Sequence, residues 1–169
     1  LDEYRISDTC RYPSGTPFTP TTTQFTSDAN TLLLIHGGEA IASGATGSGA
    51  TFVDSGNTGH TVTENGNAQR ETEQEFKFAD DGVGYFLDGT GDYLSIPDHA
   101  DWNFGDGDLT IELWIYLFDV RPVASGVAFF DQHVDGGNRL SFALNNNNTL
   151  AFYAQYSSSW IVNTSQTHG

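Results

Sequence analysis

Between Tyr85 and Tyr116 the chain reads YFLDGTGDYLSIPDHADWNFGDGDLTIELWIY. Its last third constrains the fold most. Leu109, Ile111, Leu113 and Ile115 alternate with Thr110, Glu112, Trp114 and Tyr116. A period of two places successive side chains on opposite faces of a strand, and branched and aromatic residues favour that state. Upstream, Tyr93, Leu94 and Ile96 follow the turn Gly89-Thr90-Gly91-Asp92, whose glycines can take positive φ without a Cβ penalty. The stretch reads as strand, tight turn, strand, a loop carrying Trp102 and Phe104, and strand. An all-β fold is predicted.

The rest of the chain agrees. Apolar residues make up 37% and aromatic residues 13% of 169 positions, enough for the core of a domain-sized unit. No long window carries apolar residues at helical spacing, and the LLLI run within Asn30 to His36 suits a buried strand. Six basic residues stand against 22 acidic ones, a net charge of −16. That balance excludes nucleic-acid backbones and anionic membrane surfaces as partners. It fits an extracellular or virion surface, or a calcium-rich medium. No run of 18 apolar residues is present, so membrane insertion is not expected. Cys10 is the only cysteine, which excludes an internal disulfide. Either a reducing compartment or an extracellular bacterial or viral fold without disulfides accommodates it.

Three segments are expected. Residues 1–8 hold a terminal strand, LDEYRIS, with Tyr4 and Ile6 on one face and Glu3 and Arg5 on the other. Residues 9–28 are Pro- and Thr-rich, of extended linker composition. Residues 29–169 carry the main sandwich. Within it, Gly37 to Gly49 is small and glycine-rich and reads as a mobile loop, and Gln69 to Lys77 reads as an irregular crossing. Gly126 to Phe130 reads as a strand followed by a polar loop to Asn138. Arg139 to Leu144 and Thr149 to Tyr156 form a hairpin about Asn145 to Asn148, and Trp160 to Val162 begins a further strand.

"YFLDGTGDYLSIPD" followed by "DLTIELWIY" resembles the laminin G-like domains of the concanavalin A-like lectin/glucanase group. The resemblance implies a jelly-roll β-sandwich. It covers roughly Thr31 to Gly169, with Leu1 to Ser7 out of order, because a segment of that type usually forms the family's last strand. The sandwich is therefore expected to be permuted, or completed by a neighbouring chain, with its C-terminal strands missing and the sequence a piece of a longer polypeptide. A strand-exchange role for Tyr4 and Ile6 follows, and the Pro/Thr segment, without a reverse turn before Ser14-Gly15, favours a neighbour as acceptor.

Three kinds of site were weighed. Hydrolytic relatives of this fold use a Glu-x-Asp-x-x-Glu strand. Here Trp114 stands where the second acid belongs, two positions after Glu112, so no catalysis is expected. Calcium wants six to eight oxygens. The turn Asp54-Ser55-Gly56-Asn57 matches a family turn that often supplies them, making Asp54 and Asn57 candidate calcium ligands. The plainer alternative is that Asp and Asn sit there because they cap turns. For carbohydrate, aromatic platforms and polar partners gather in the second half: His133, Asn138, Arg139, Tyr153, Tyr156 and Trp160. The five histidines are dispersed and form no pair at ligand spacing. Trp102 reads as a lid over the core or an exposed platform, the former preferred. The resemblance implies a non-catalytic adhesion or carbohydrate-binding module of a longer surface protein, with glycan or neighbouring subunits as partners. A purely structural fibre module and an accessory domain of a polysaccharide-degrading enzyme are the rivals.

Overall fold

A computed structural model describes residues 1–15, 17–37, 52–71, 84–117, 126–135 and 137–167, with the backbone alone at 70–71 and 160–167. These residues are nearly all β, in antiparallel sheets, with one 3-10 turn at Ala100–Trp102. Two compact units divide the chain, Leu1–Tyr116 and Leu117–Gly169.

In the first unit, β1 (Asp2–Ser7) lies between β2 (Thr31–Ile35) and β7 (Thr110–Trp114). Tyr4 and Ile6 pair in register with Ile35 and Leu33 on one side and with Leu113 and Ile111 on the other. Together with Phe25, Leu34, Phe52 and Tyr85 they build the core. Both edges of β1 are thus paired within this chain. The physical reason is the return path. The Asp8 amide donates to the Asn30 carbonyl at 3.1 Å, and the Thr110 hydroxyl donates to the Thr9 carbonyl at 2.7 Å. Arg11 forks onto both Asp28 oxygens at 3.0 and 2.8 Å. These bonds hold the segment against its own sheet.

All six residues of β1 are buried. The second face is covered by the 9–28 segment, which is therefore no free linker. Prolines at 13, 17 and 20 cannot donate to a ladder, so the segment lies across the strands instead of joining them. Beneath it the sheet face is polar. Arg5 donates through Nε to Glu112 Oε2 at 2.8 Å, and its guanidinium stands 4.3 Å from the Phe25 ring centroid. Tyr12 donates its hydroxyl to Glu112 Oε1. Glu3 takes φ +51° at a bulge against β7. The bulge lets its fully buried carboxylate accept from the Phe25 amide at 2.7 Å and pair with His36 Nδ1 at 2.6 Å.

Burial, together with the bond to Glu112, pushes the Tyr12 phenol up to about 12. The unfolded chain releases that proton near pH 10. Stability is thus complete below about pH 10 and is lost as pH rises from there toward 12. Urea unfolding across this window should show the decline, and Tyr12→Phe should flatten part of it. An unchanged slope in the variant would remove this role for Tyr12.

The strands on either side of the turn Gly89-Thr90-Gly91-Asp92 do not pair with each other. β5 (Gly84–Phe86) pairs with β4 (Gln69–Glu71), and β6 (Tyr93–Ser95) pairs with β3 (Thr63–Asn65). Between β5 and β6, Gly89 and Gly91 take φ near +80° and +81°. Asp92 accepts the Asp88 and Asn67 amides at 2.9 and 2.8 Å, docking this turn on the turn between β3 and β4. Gly66 is required at that contact: a Cβ there would lie 2.4 Å from Asp92 Oδ1 and 2.7 Å from the Gly91 carbonyl oxygen. β4 turns part of the expected irregular crossing into strand. The expected loop at Gly37 to Gly49 lies outside the described residues beyond Gly37. In its described sheet β7 is the edge strand, with Leu113 and Trp114 half-buried.

The second unit is one four-stranded sheet in the order β11 (Ser159–Thr167), β10 (Thr149–Tyr156), β9 (Asn138–Leu144), β8 (Val127–Asp135). The predicted hairpin is β9 and β10, turning about Asn148 at φ +60°. The polar stretch after Phe130 is not a loop but the continuation of β8.

Candidate functional site

Alternation along β8, β9 and β10 sorts the second unit's side chains into two faces. Opposite residues share a face, so Phe142 sits with Phe130 and Phe152 on the apolar one. The polar face carries Asp131, Ser141 and Tyr153 in one row and His133, Arg139 and Gln155 in the next. Arg139 Nε donates to Asp131 Oδ1 at 2.9 Å, and the Tyr153 hydroxyl donates to Asn145 Oδ1 at 2.9 Å. Asp131, His133 and Arg139 are exposed, whereas Tyr153 is half-buried.

The six expected sugar contacts are therefore divided. His133, Arg139 and Tyr153 come together on this face. Asn138 is drawn into turn-making: its amide donates to both Asp135 oxygens at 2.9 Å, and its Oδ1 accepts the Ser157 amide at 3.0 Å. Tyr156 is exposed at the end of β10. Trp160 is the register partner of Gln155, and its side chain lies outside the described residues. Asp131 was missed, although its place eight residues before Arg139 across a hairpin is a readable signal.

In the first unit, the candidate calcium ligand Asp54 is buried, and its two oxygens accept four N–H groups. Oδ1 takes the Leu34 and Gly56 amides at 2.9 and 2.7 Å, and Oδ2 takes the His60 amide and Nδ1 at 2.7 and 2.8 Å. Four donors fill the lone-pair sites of a carboxylate. Calcium at Asp54 would have to displace them. Asn57 donates its amide to the Asp28 carbonyl at 2.7 Å. The plainer reading of this turn accounts for both residues.

Asp54 leads to a cluster that sequence reasoning missed. Because a carboxylate only accepts, His60 Nδ1 is the donor in this bond, and Nε2 faces away from Asp54. The His60 side chain is 4% exposed, and Nε2 lies 3.2 Å from Asp101 Oδ2. Yet Nε2 has no hydrogen-bond partner. Asp101 Oδ2 instead accepts from the Thr58 hydroxyl at 2.5 Å. That bond, aided by His99 and His60, holds the Asp101 carboxyl below the ordinary aspartate range. His99 stands beside it, its ring 5.0 Å from that of His60, and its Nδ1 accepts the Asp101 amide at 3.2 Å to cap the 3-10 turn. Trp102, fixed by a 3.1 Å bond from Nε1 to the Pro97 carbonyl, lays its ring 4.6 Å over His60. Trp102 is half-buried and covers this histidine.

Compared with protein-family models, with curated proteins and with solved structures, the chain finds no match in any of the three.

Proposed function

We propose that the chain is a non-catalytic binding module of laminin G-like, concanavalin A-like type that takes carbohydrate on the polar face of its four-stranded sheet. Its setting would be extracellular or on a virion surface. The observation that supports this reading is the polar face on which Asp131 and Tyr153 share one row and His133 and Arg139 the next. Arg and Asp side by side offer planar donors and acceptors matched to neighbouring sugar hydroxyls, and a tyrosine adds an apolar face with a polar tip. A net charge of −16 turns the preference toward neutral or cationic glycans. The non-catalytic character is supported by Glu112, whose carboxylate is engaged by Arg5 and Tyr12 beneath the 9–28 segment. Pairing of β1 on both edges within the chain supports the binding reading over a structural role by strand exchange.

A glycan array, followed by calorimetry on any hit, tests the proposal. Arg139→Ala should weaken binding about tenfold or more, the scale of an interface hot spot. Glycan binding that ignores Arg139→Ala and Tyr153→Ala, or no binding across neutral and amino sugars, would overturn it.

A further inference from the structure

We infer that His60, His99 and Asp101 form a binding site for a divalent transition metal of the zinc class, separate from any calcium site at Asp54 and Asn57. Among the described residues these three bring one donor atom each to within 4.8 Å of one another. Two observations point beyond chance proximity. First, His60 Nε2 is buried and has no hydrogen-bond partner, while Nδ1 on the far side of the ring is held by Asp54 at 2.8 Å. It faces the Asp101 carboxylate at 3.2 Å, a gap that calls for a positive occupant, metal ion or proton. Second, Asp54 binds the far nitrogen of the same ring at 2.8 Å. A carboxylate that fixes the tautomer and aims the other nitrogen outward is the usual support behind a metal-bound histidine.

The distances and donor types agree on the class of metal. Tetrahedral zinc with bonds of about 2.0–2.1 Å holds its donor atoms about 3.3 Å apart. His60 Nε2 and Asp101 Oδ2 already stand at 3.2 Å. His99, with its side chain 44% exposed, has room to swing toward them. Two imidazoles and one carboxylate suit zinc, copper or nickel, whereas calcium and magnesium require oxygen cages. Trp102 covers the His60 ring at 4.6 Å. Three protein donors leave at least one position for water or an outside ligand.

The rival occupant of the gap is a proton, which would make His60 an imidazolium between Asp54 and Asp101. Cobalt(II) titration separates the two. The protein used is the whole chain carrying Cys10→Ser, which removes the exposed thiol as a competing ligand. One equivalent of cobalt should bind with visible ligand-field absorption, and zinc should displace it and raise the melting temperature. His99→Ala is exposed enough to fold, which circular dichroism checks, and should weaken cobalt binding about tenfold or more. Asp101→Asn, which can still accept from Thr58, should do the same. No cobalt band at large excess, or a band and a melting shift unchanged in both variants, would overturn the site. Histidine nitrogen spectra showing His60 doubly protonated and insensitive to zinc would also overturn it, in favour of the imidazolium.

Discussion

Glu112→Ala is expected to lower the unfolding free energy by about 3–5 kcal/mol, the scale of breaking a buried ion pair from one side. The Arg5 and Glu112 side chains are 10% and 8% exposed, and Arg5 NH2 approaches Glu112 Oε2 to 2.6 Å. Arg11 Nε adds a second positive group at 3.7 Å. Removing the carboxylate leaves the Arg5 charge beneath the 9–28 segment with only the Thr26 carbonyl, at 3.2 Å, and the Phe25 ring. Tyr12 loses its acceptor at the same time. Urea unfolding measures the loss. The double variant Arg5→Met with Glu112→Leu should recover much of it, because apolar replacement of a whole buried pair is often neutral. A cost below about 1 kcal/mol for Glu112→Ala would mean that water reaches the pair and that the segment does not seal the sheet.

That pair also marks where sequence reading stopped. Strands announced by local alternation were legible: β7 from TIELW, β9 and β10 from RLSFAL and TLAFYAQY, and β2 from its apolar run. The fate of residues 1–28 was not legible, because it depends on Arg5 meeting Glu112 across 107 positions and on Arg11 meeting Asp28. Composition alone made the segment a linker. Arg5 and Arg11, a third of the chain's six basic residues, were the clue that residues 1–28 have acidic partners. The pairing of β5 with β4 and β6 with β3 was hidden for a similar reason. A Gly-rich turn suggests that its flanking strands meet, and here the bonds of Asp92 hold it against a different turn.

Sites divided along the same line. Arg139 and Tyr153 were readable because strand periodicity and one hairpin register are enough to place them on one face, whereas His133 joins them only through the continuation of β8 beyond Phe130. The cluster of His60, His99 and Asp101 was not, since a gap of 39 positions between the histidines has no ligand spacing in it. Only His99-x-Asp101, around a turn that begins at Ala100, was a local signal. The third member arrives through Asp54, whose hydrogen bonds aim His60 from a distance that no motif encodes.

The largest single effect expected is that of Asp54→Ala, a loss of about 4 kcal/mol or more, equal with calcium and with a chelator. Each N–H left unpaired in a buried place costs about 1–3 kcal/mol. Here four are left at once: the amides of Leu34, Gly56 and His60, and His60 Nδ1. Water cannot easily replace the carboxylate, because the turn is tight: a Cβ on Gly56 would lie 2.8 Å from Asp54 Oδ1 and 2.9 Å from the Leu32 carbonyl. The loss would spread in two directions, to β2 through Leu34 and to the His60 ring that Asp54 orients. Melting curves in millimolar calcium and in EDTA decide between the two roles of this residue. Equal destabilisation in both identifies Asp54 as the clamp that holds the turn to β2. A wild-type melting point that rises with calcium, and a variant that differs from it only when calcium is present, would return Asp54 to the role of calcium ligand. The bonds described here would then have to open on binding.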